Sequence, residues 1–241
     1  MSTIREYVEE YRNFLKNGPK LDYTRTETPL EGFFSGCHAA EKIDISKISA
    51  KDVDSLKNLF AHCSSLKEMD LTNFIPKSIT SLYGMFNECH RLTKVVLTGC
   101  DFSNVTDMSF MFCGCDYLEE IDFKGLDLSK VKDMHCMFCR CTSLIKIDFS
   151  ANDLSSVKDI SQMCDTCSNL VYLDITTMNL QYMDDVSGML NRCNKLRLIH
   201  TPSSQGKLTC ALREMLHWRG KTRTETVYIR DGTAYEIITN R

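Results

Sequence analysis

Proline, tryptophan and long apolar runs are what this sequence has least of. Its 241 residues include 4 Pro, 1 Trp and 11 Gly, which excludes collagen-like and proline-rich low-complexity chains. No stretch of 18 apolar residues occurs, so no transmembrane helix is expected. An excess of one charge is also lacking. Lys and Arg number 29 against 32 Asp and Glu, for a net charge of −3, and nothing global draws the chain to nucleic acid. Position 2 is not glycine, so N-myristoylation is not expected. The opening MSTIREYVEEYRNFLKNG is charged and amphipathic, unlike a basic stub followed by an apolar stretch. The expectation is no secretory leader and a cytoplasmic or otherwise intracellular protein. Apolar residues make up 43% of the chain, enough for one large core or two small ones.

Cysteine, by contrast, is abundant at 13 residues. In a short secreted domain that number would imply disulfides, but here its spacing implies a repeat. Cys37, Cys63, Cys89, Cys115, Cys141, Cys167 and Cys193 stand 26 residues apart without insertion or deletion. Three residues before each come Phe34, Phe60, Phe86, Phe112, Phe138, Cys164 and Leu190. Six after come Ile43, Met69, Val95, Ile121, Ile147, Leu173 and Ile199. Before a cysteine the apolar steps are helix-like, as in Val105, Met108, Met111, Phe112 and Cys115; after it Leu118, Ile121 and Phe123 tighten to a step of two. Each unit is thus predicted to hold a helical or 3₁₀ segment, then a short strand paired in parallel with the next about 4.8 Å away. No unit buries its apolar stripe alone, and stacking makes the core continuous. The expected fold class is an α/β solenoid of seven 26-residue coils, a rod about 30–35 Å long at that spacing.

The unit MFCGCDYLEEIDFKGLDLSKVKD at 111–133, and SNVTDMSFMF at 103–112, resemble the BspA-like (bacterial surface protein A-like) leucine-rich repeat. That family repeats Met-Phe, two residues, Cys, two residues, Leu, two residues, an apolar residue, Asp, then Leu or Phe. The resemblance covers about residues 30–200. It implies a leucine-rich-repeat solenoid used for protein–protein or adhesive contacts, without catalysis. It also implies cell-surface placement for many members, through an export signal and an anchor that this sequence does not show.

Terminal coils need caps. Residues 1–29 read as a capping helix and linker, 30–202 as the solenoid and 203–241 as a C-terminal cap. Thr3 to Glu6 forms a capping box, Ile4, Tyr7, Val8, Tyr11, Phe14 and Leu15 share a face, and Gly18-Pro19 ends the helix. At the other end, 207–218 reads as a last helix and 225–238 as a hairpin around Asp231-Gly232.

Cys136-x-x-Cys139, Cys164-x-x-Cys167 and Cys113-Gly-Cys115 invite a zinc reading. The repeat opposes it, because Cys115, Cys141 and Cys167 belong to the stacked column and Cys164 sits where Phe138 does. Stacked side chains point alike instead of converging, so structural, reduced cysteines are expected, with neither metal nor cofactor. The six histidines share no metal or triad spacing, and no nucleophile–base pair stands out. No enzyme is expected.

Outward strand positions then carry the functional reading. Five residues after each cysteine run Lys42, Glu68, Lys94, Glu120, Lys146, Tyr172 and Leu198; seven after run Asp44, Asp70, Val96, Asp122, Asp148, Asp174 and His200. The first row alternates in sign and then turns apolar. The aspartates are expected to close Asx turns beyond their strands, with an acidic stripe for a basic partner or cation as the alternative. Lys146, Asp148, Tyr172, Asp174, Leu198 and His200 are the expected partner face, with the capping hairpin folding over them as the alternative. Tyr172→Ala is expected to cost binding about 1–3 kcal/mol with little loss of stability. The expected function is non-enzymatic binding of a protein, with no nucleic acid and no membrane span. The alternatives are a scaffold or self-assembling subunit and a cysteine-rich metal-binding protein.

Overall fold

The computed structural model describes residues 30–45, 50, 53–202, 226–231 and 234–239. The capping helix expected at 3–17, the helix expected at 207–218 and Gly232 lie outside the described residues. Strand β1 (Glu68–Asp70) pairs in parallel with β2 (Lys94–Val96), Glu68 opposite Lys94. A second sheet begins with β3 (Lys146–Asp148), β4 (Tyr172–Asp174) and β5 (Leu198–Thr201), where Lys146, Tyr172 and Leu198 lie side by side. Each of these pairings is offset by one 26-residue repeat. The central residues Met69, Ile147, Leu173 and Ile199 are buried, as alternation on a half-buried strand requires. Strand β6 (Thr226–Asp231) continues the second sheet in parallel, and β7 (Ala234–Thr239) returns antiparallel with Ala234 opposite Asp231. No strand forms at 42–44 or 120–122, so the strand expected in every unit is absent there. The repeat register nevertheless crosses the gap elsewhere. Ser55, Ser81, Asp107, Asp133, Asp159 and Asp185 are joined in succession by parallel bridges.

The segment before each column cysteine is not helical, contrary to the spacing-based prediction. The amides of Leu59, Ala61 and Cys63 bond the carbonyls of Leu56, Asn58 and Phe60, three residues back. The intervening amides of Leu56, Asn58, Phe60 and His62 bond the carbonyls of Ser81, Tyr83, Met85 and Asn87 in the next unit. A helix would satisfy these amides within its own segment; here every second one goes to the neighbour, so the chain forms overlapping turns. Such turns place a residue at positive φ every four positions, as at Gly84 and Glu88, Phe110 and Gly114, or Cys136 and Arg140. Among the described residues the one helical element is a 3₁₀ turn, Leu180–Tyr182.

The core is built from equivalent residues laid one upon another. Rings of Phe34, Phe60, Phe86, Phe112 and Phe138 stack nearly parallel, with centroids 5.5, 5.3, 5.5 and 5.8 Å apart. The column cysteines are buried beside them. The thiols of Cys63, Cys89, Cys115, Cys141, Cys167 and Cys193 each donate to the carbonyl 29 residues earlier, at 3.0–3.2 Å. Cysteine suits this position because it is small and apolar yet offers a weak donor to a buried carbonyl.

Candidate functional site

Strands β3 to β5 bring the six predicted face residues into two adjacent rows, Lys146–Tyr172–Leu198 and Asp148–Asp174–His200. Strand alternation turns these positions away from the core, and the parallel pairing aligns them. Lys146 Nζ lies 2.9 Å from Asp148 Oδ2 and 5.0 Å from the centre of the Tyr172 ring. The Tyr172 hydroxyl donates to Asp174 Oδ2 at 3.0 Å and lies 3.1 Å from His200 Nδ1, which is itself 2.9 Å from Asp174 Oδ2. The Tyr172 and His200 rings meet edge to face at 5.1 Å. Asp174, only 3% exposed, also accepts from the amide and hydroxyl of Thr176. Tyr172 and Leu198 are half-buried, and Asp174 and His200 hold the Tyr172 hydroxyl across the sheet.

The aspartates of the second row close Asx turns. Asp70, Asp122, Asp148 and Asp174 accept the amides of Thr72, Lys124, Ser150 and Thr176. Burial opposes ionisation at Asp148, but the Ser150 hydroxyl and amide and the Lys146 ammonium outweigh it and hold the carboxyl at about 2. The large apolar side chains exposed here lie one position before the strands: Ile145 at 49% and Val171 at 37%. Equivalent positions hold Glu41, Lys67, Thr93, Glu119 and Arg197, so this pair is an apolar break in a polar row. β6 places Tyr228 opposite Leu198 and Arg230 opposite His200, extending both rows by register.

Two groupings escaped the reading along the chain. His90 bridges Glu88 and Asp116, at 3.1 and 2.8 Å, while Arg140 reaches Glu88 at 3.0 Å from two units away. Cys113, Cys136 and Cys139 form a cluster of their own against Phe110, apart from Cys115, Cys141, Cys164 and Cys167 in the main core. Columns two and five before the repeating cysteine would have paired them. Among the described residues no group of three or more His, Cys, Asp or Glu is arranged to hold a metal ion, and no helix is long and apolar enough to cross a membrane.

A 26-residue sequence period in seven copies, with parallel pairing at that same period, defines a repeat protein. The chain belongs to the family described as "Mycoplasma protein of unknown function, DUF285", which matches residues 28–123 and 93–201. No curated protein matches it.

Proposed function

We propose that the chain is a non-enzymatic protein-binding module: a leucine-rich-repeat solenoid of the BspA-like kind its repeat resembles, holding a protein partner on the face of β3 to β5. The observation carrying this reading is the exposed Ile145–Val171 pair beside a charged, hydrogen-bonded platform. An apolar centre with a polar rim is the composition of an interface hot spot. The 26-residue parallel register and the family's repeats support the solenoid. The platform residues Asp174, His200 and Tyr172 satisfy one another and keep the face rigid, so little ordering cost falls on binding.

Affinity capture from the source cell, with wild type and an Ile145→Ser/Val171→Ser double variant, tests the assignment. The expected result is a protein retained by wild type and by Lys42→Ala, and retained at least about tenfold less by the double variant, as the loss of a hot spot predicts. Equal retention by all three chains removes this face from the binding site.

A further inference from the structure

The cysteine cluster occupies positions where the repeat does not call for cysteine. Two residues before the column cysteine the other units carry Ser35, Ala61, Asn87, Asp165 and Asn191; Cys113 and Cys139 take that place in two consecutive units. Five before it they carry Gly32, Asn58, Gly84, Phe110, Gln162 and Gly188, and Cys136 takes that place. Cys136 also has a φ of 53°, a conformation that disfavours residues other than glycine and asparagine. Packing in the main core does not account for these thiols, because they pack together outside it. They are 8%, 5% and 9% exposed, whereas six column thiols are sealed against carbonyls. Cys113, Cys136 and Cys139 pack against one another beside Phe110.

We propose that Cys113, Cys136 and Cys139 form a peroxide-reactive thiol site in which Cys139 attacks the oxidant and either neighbour resolves the product as a disulfide. The surroundings equip Cys139 for the first step. Hydrogen bonds from Cys113 and then Cys136, with the charges of Arg140 and His135, hold its thiol below the ordinary range against the effect of burial. The same coupling pushes the Cys113 and Cys136 thiols up. Asp165 and Asp159 are the opposing charges: the Cys139 charge adds to burial in raising Asp165, and Asp159 acts on Cys136. A low-pKa thiol beside a resolving cysteine is the arrangement redox-sensing sites use.

The chemistry closes with a hydroperoxide as oxidant. The Cys139 thiolate attacks the distal oxygen; an S–O bond forms, the O–O bond breaks, and the leaving alkoxide or hydroxide takes a proton. Sulfur, oxidised by two electrons, is then a sulfenic acid. The Cys136 or Cys113 thiol attacks that sulfur, an S–S bond forms, and the hydroxyl leaves as water with the attacking thiol's proton. Cys136 and Cys139 are the ends of one turn, closed by a 3.1 Å amide bond. Cys113 and Cys139 are equivalent positions one unit apart, a spacing of about 4.8 Å that disulfide geometry accommodates between α-carbons.

The full chain is treated with hydrogen peroxide at pH 6 and examined by intact mass and peptide mapping. The expected product has lost two hydrogens, with one disulfide joining Cys139 to Cys136 or Cys113. Cys139→Ser abolishes it, Cys113→Ser and Cys136→Ser each retain it, and the Cys113→Ser/Cys136→Ser double variant stops at a sulfenic acid that dimedone traps at position 139. In the untreated wild type, iodoacetamide at pH 6 labels Cys139 at least about tenfold faster than any column cysteine, as a low-pKa thiol requires. A disulfide mapped elsewhere, Cys210 included, or labelling of Cys139 no faster than that of Cys115, overturns the proposal.

Discussion

At the scale of the residue, cysteine plays two chemically opposite parts in one chain. In the repeating column it is a core residue whose thiol donates to a carbonyl; burial pushes the Cys89 thiol up to about 12 and raises those of Cys115 and Cys141. Cys115→Ala removes the thiol from the Phe86 carbonyl and leaves a small void. The expected cost is about 1–3 kcal/mol in urea unfolding. Phe112→Ala takes a ring from between Phe86 and Phe138 and is expected to cost about 3–5 kcal/mol in the same measurement. Tyr172 shows how far single side chains were legible. Its row and its neighbours followed from strand alternation, but the reach of its hydroxyl to Asp174 and His200 depends on a rotamer that no spacing encodes. The expectation that Tyr172→Ala spares stability therefore changes: removing a partner from the buried Asp174 carboxylate is expected to cost about 1–3 kcal/mol, read as a lowered urea midpoint.

At the scale of the element, corners made by aspartate and turns made by left-handed residues replace helices. Hydroxyls of Thr72, Ser103 and Ser129 hold Asp70, Asp101 and Asp127 below the usual carboxylate range, and amides of Ser155 and Ser187 do so for Asp153 and Asp185. A carboxylate with a lower pKa folded than unfolded stabilises fully above its unfolded value, near 4, and loses that contribution as pH falls through the folded value. Urea midpoints are therefore expected to fall as acid is added below about pH 4, with the Asp148 part lost down to about 2; Asp148→Asn should flatten that last portion. Asp133 has the opposite sign. Burial, then repulsion from Asp107 and Asp159, raises it. Asp133→Asn is expected to raise the midpoint at neutral pH, and the gain should vanish once pH falls below the unfolded value near 4. The turns explain the misread helix. Val105, Met108, Met111, Phe112 and Cys115 are buried in the overlapping turns, so hydropathy spacing does not separate those turns from a helix. The available signal was glycine, recurring at 32, 84 and 188 and again at 36 and 114, all at positive φ. A Cβ on Gly84 would also run into the Asn58 carboxamide.

At the scale of the whole molecule, the period of 26 was legible because burial repeats with it: the same phenylalanine, cysteine and leucine columns must meet their copies in each neighbouring unit. What the period concealed was variation within it, such as the missing strand at 120–122 and the three cysteines gathered from columns that hold other residue types elsewhere. Read along the chain, Cys136–Cys139 stood beside Cys164–Cys167 and Cys113–Cys115 as pairs that the repeat explains, whereas the fold groups Cys136 and Cys139 with Cys113. In the proposed solenoid successive units stack at one strand spacing, and pairwise distances between spin labels test that stacking most directly. Ala39, Arg91, Tyr117 and Lys195 are exposed and equivalent, each two residues after a column cysteine. Nitroxides carried on ketone-bearing residues at 195 and at 117, 91 or 39 span three, four and six units. At about 4.8 Å per unit the backbone separations should be about 14, 19 and 29 Å, rising evenly. Distances that do not increase with the number of intervening units would contradict the stacked arrangement.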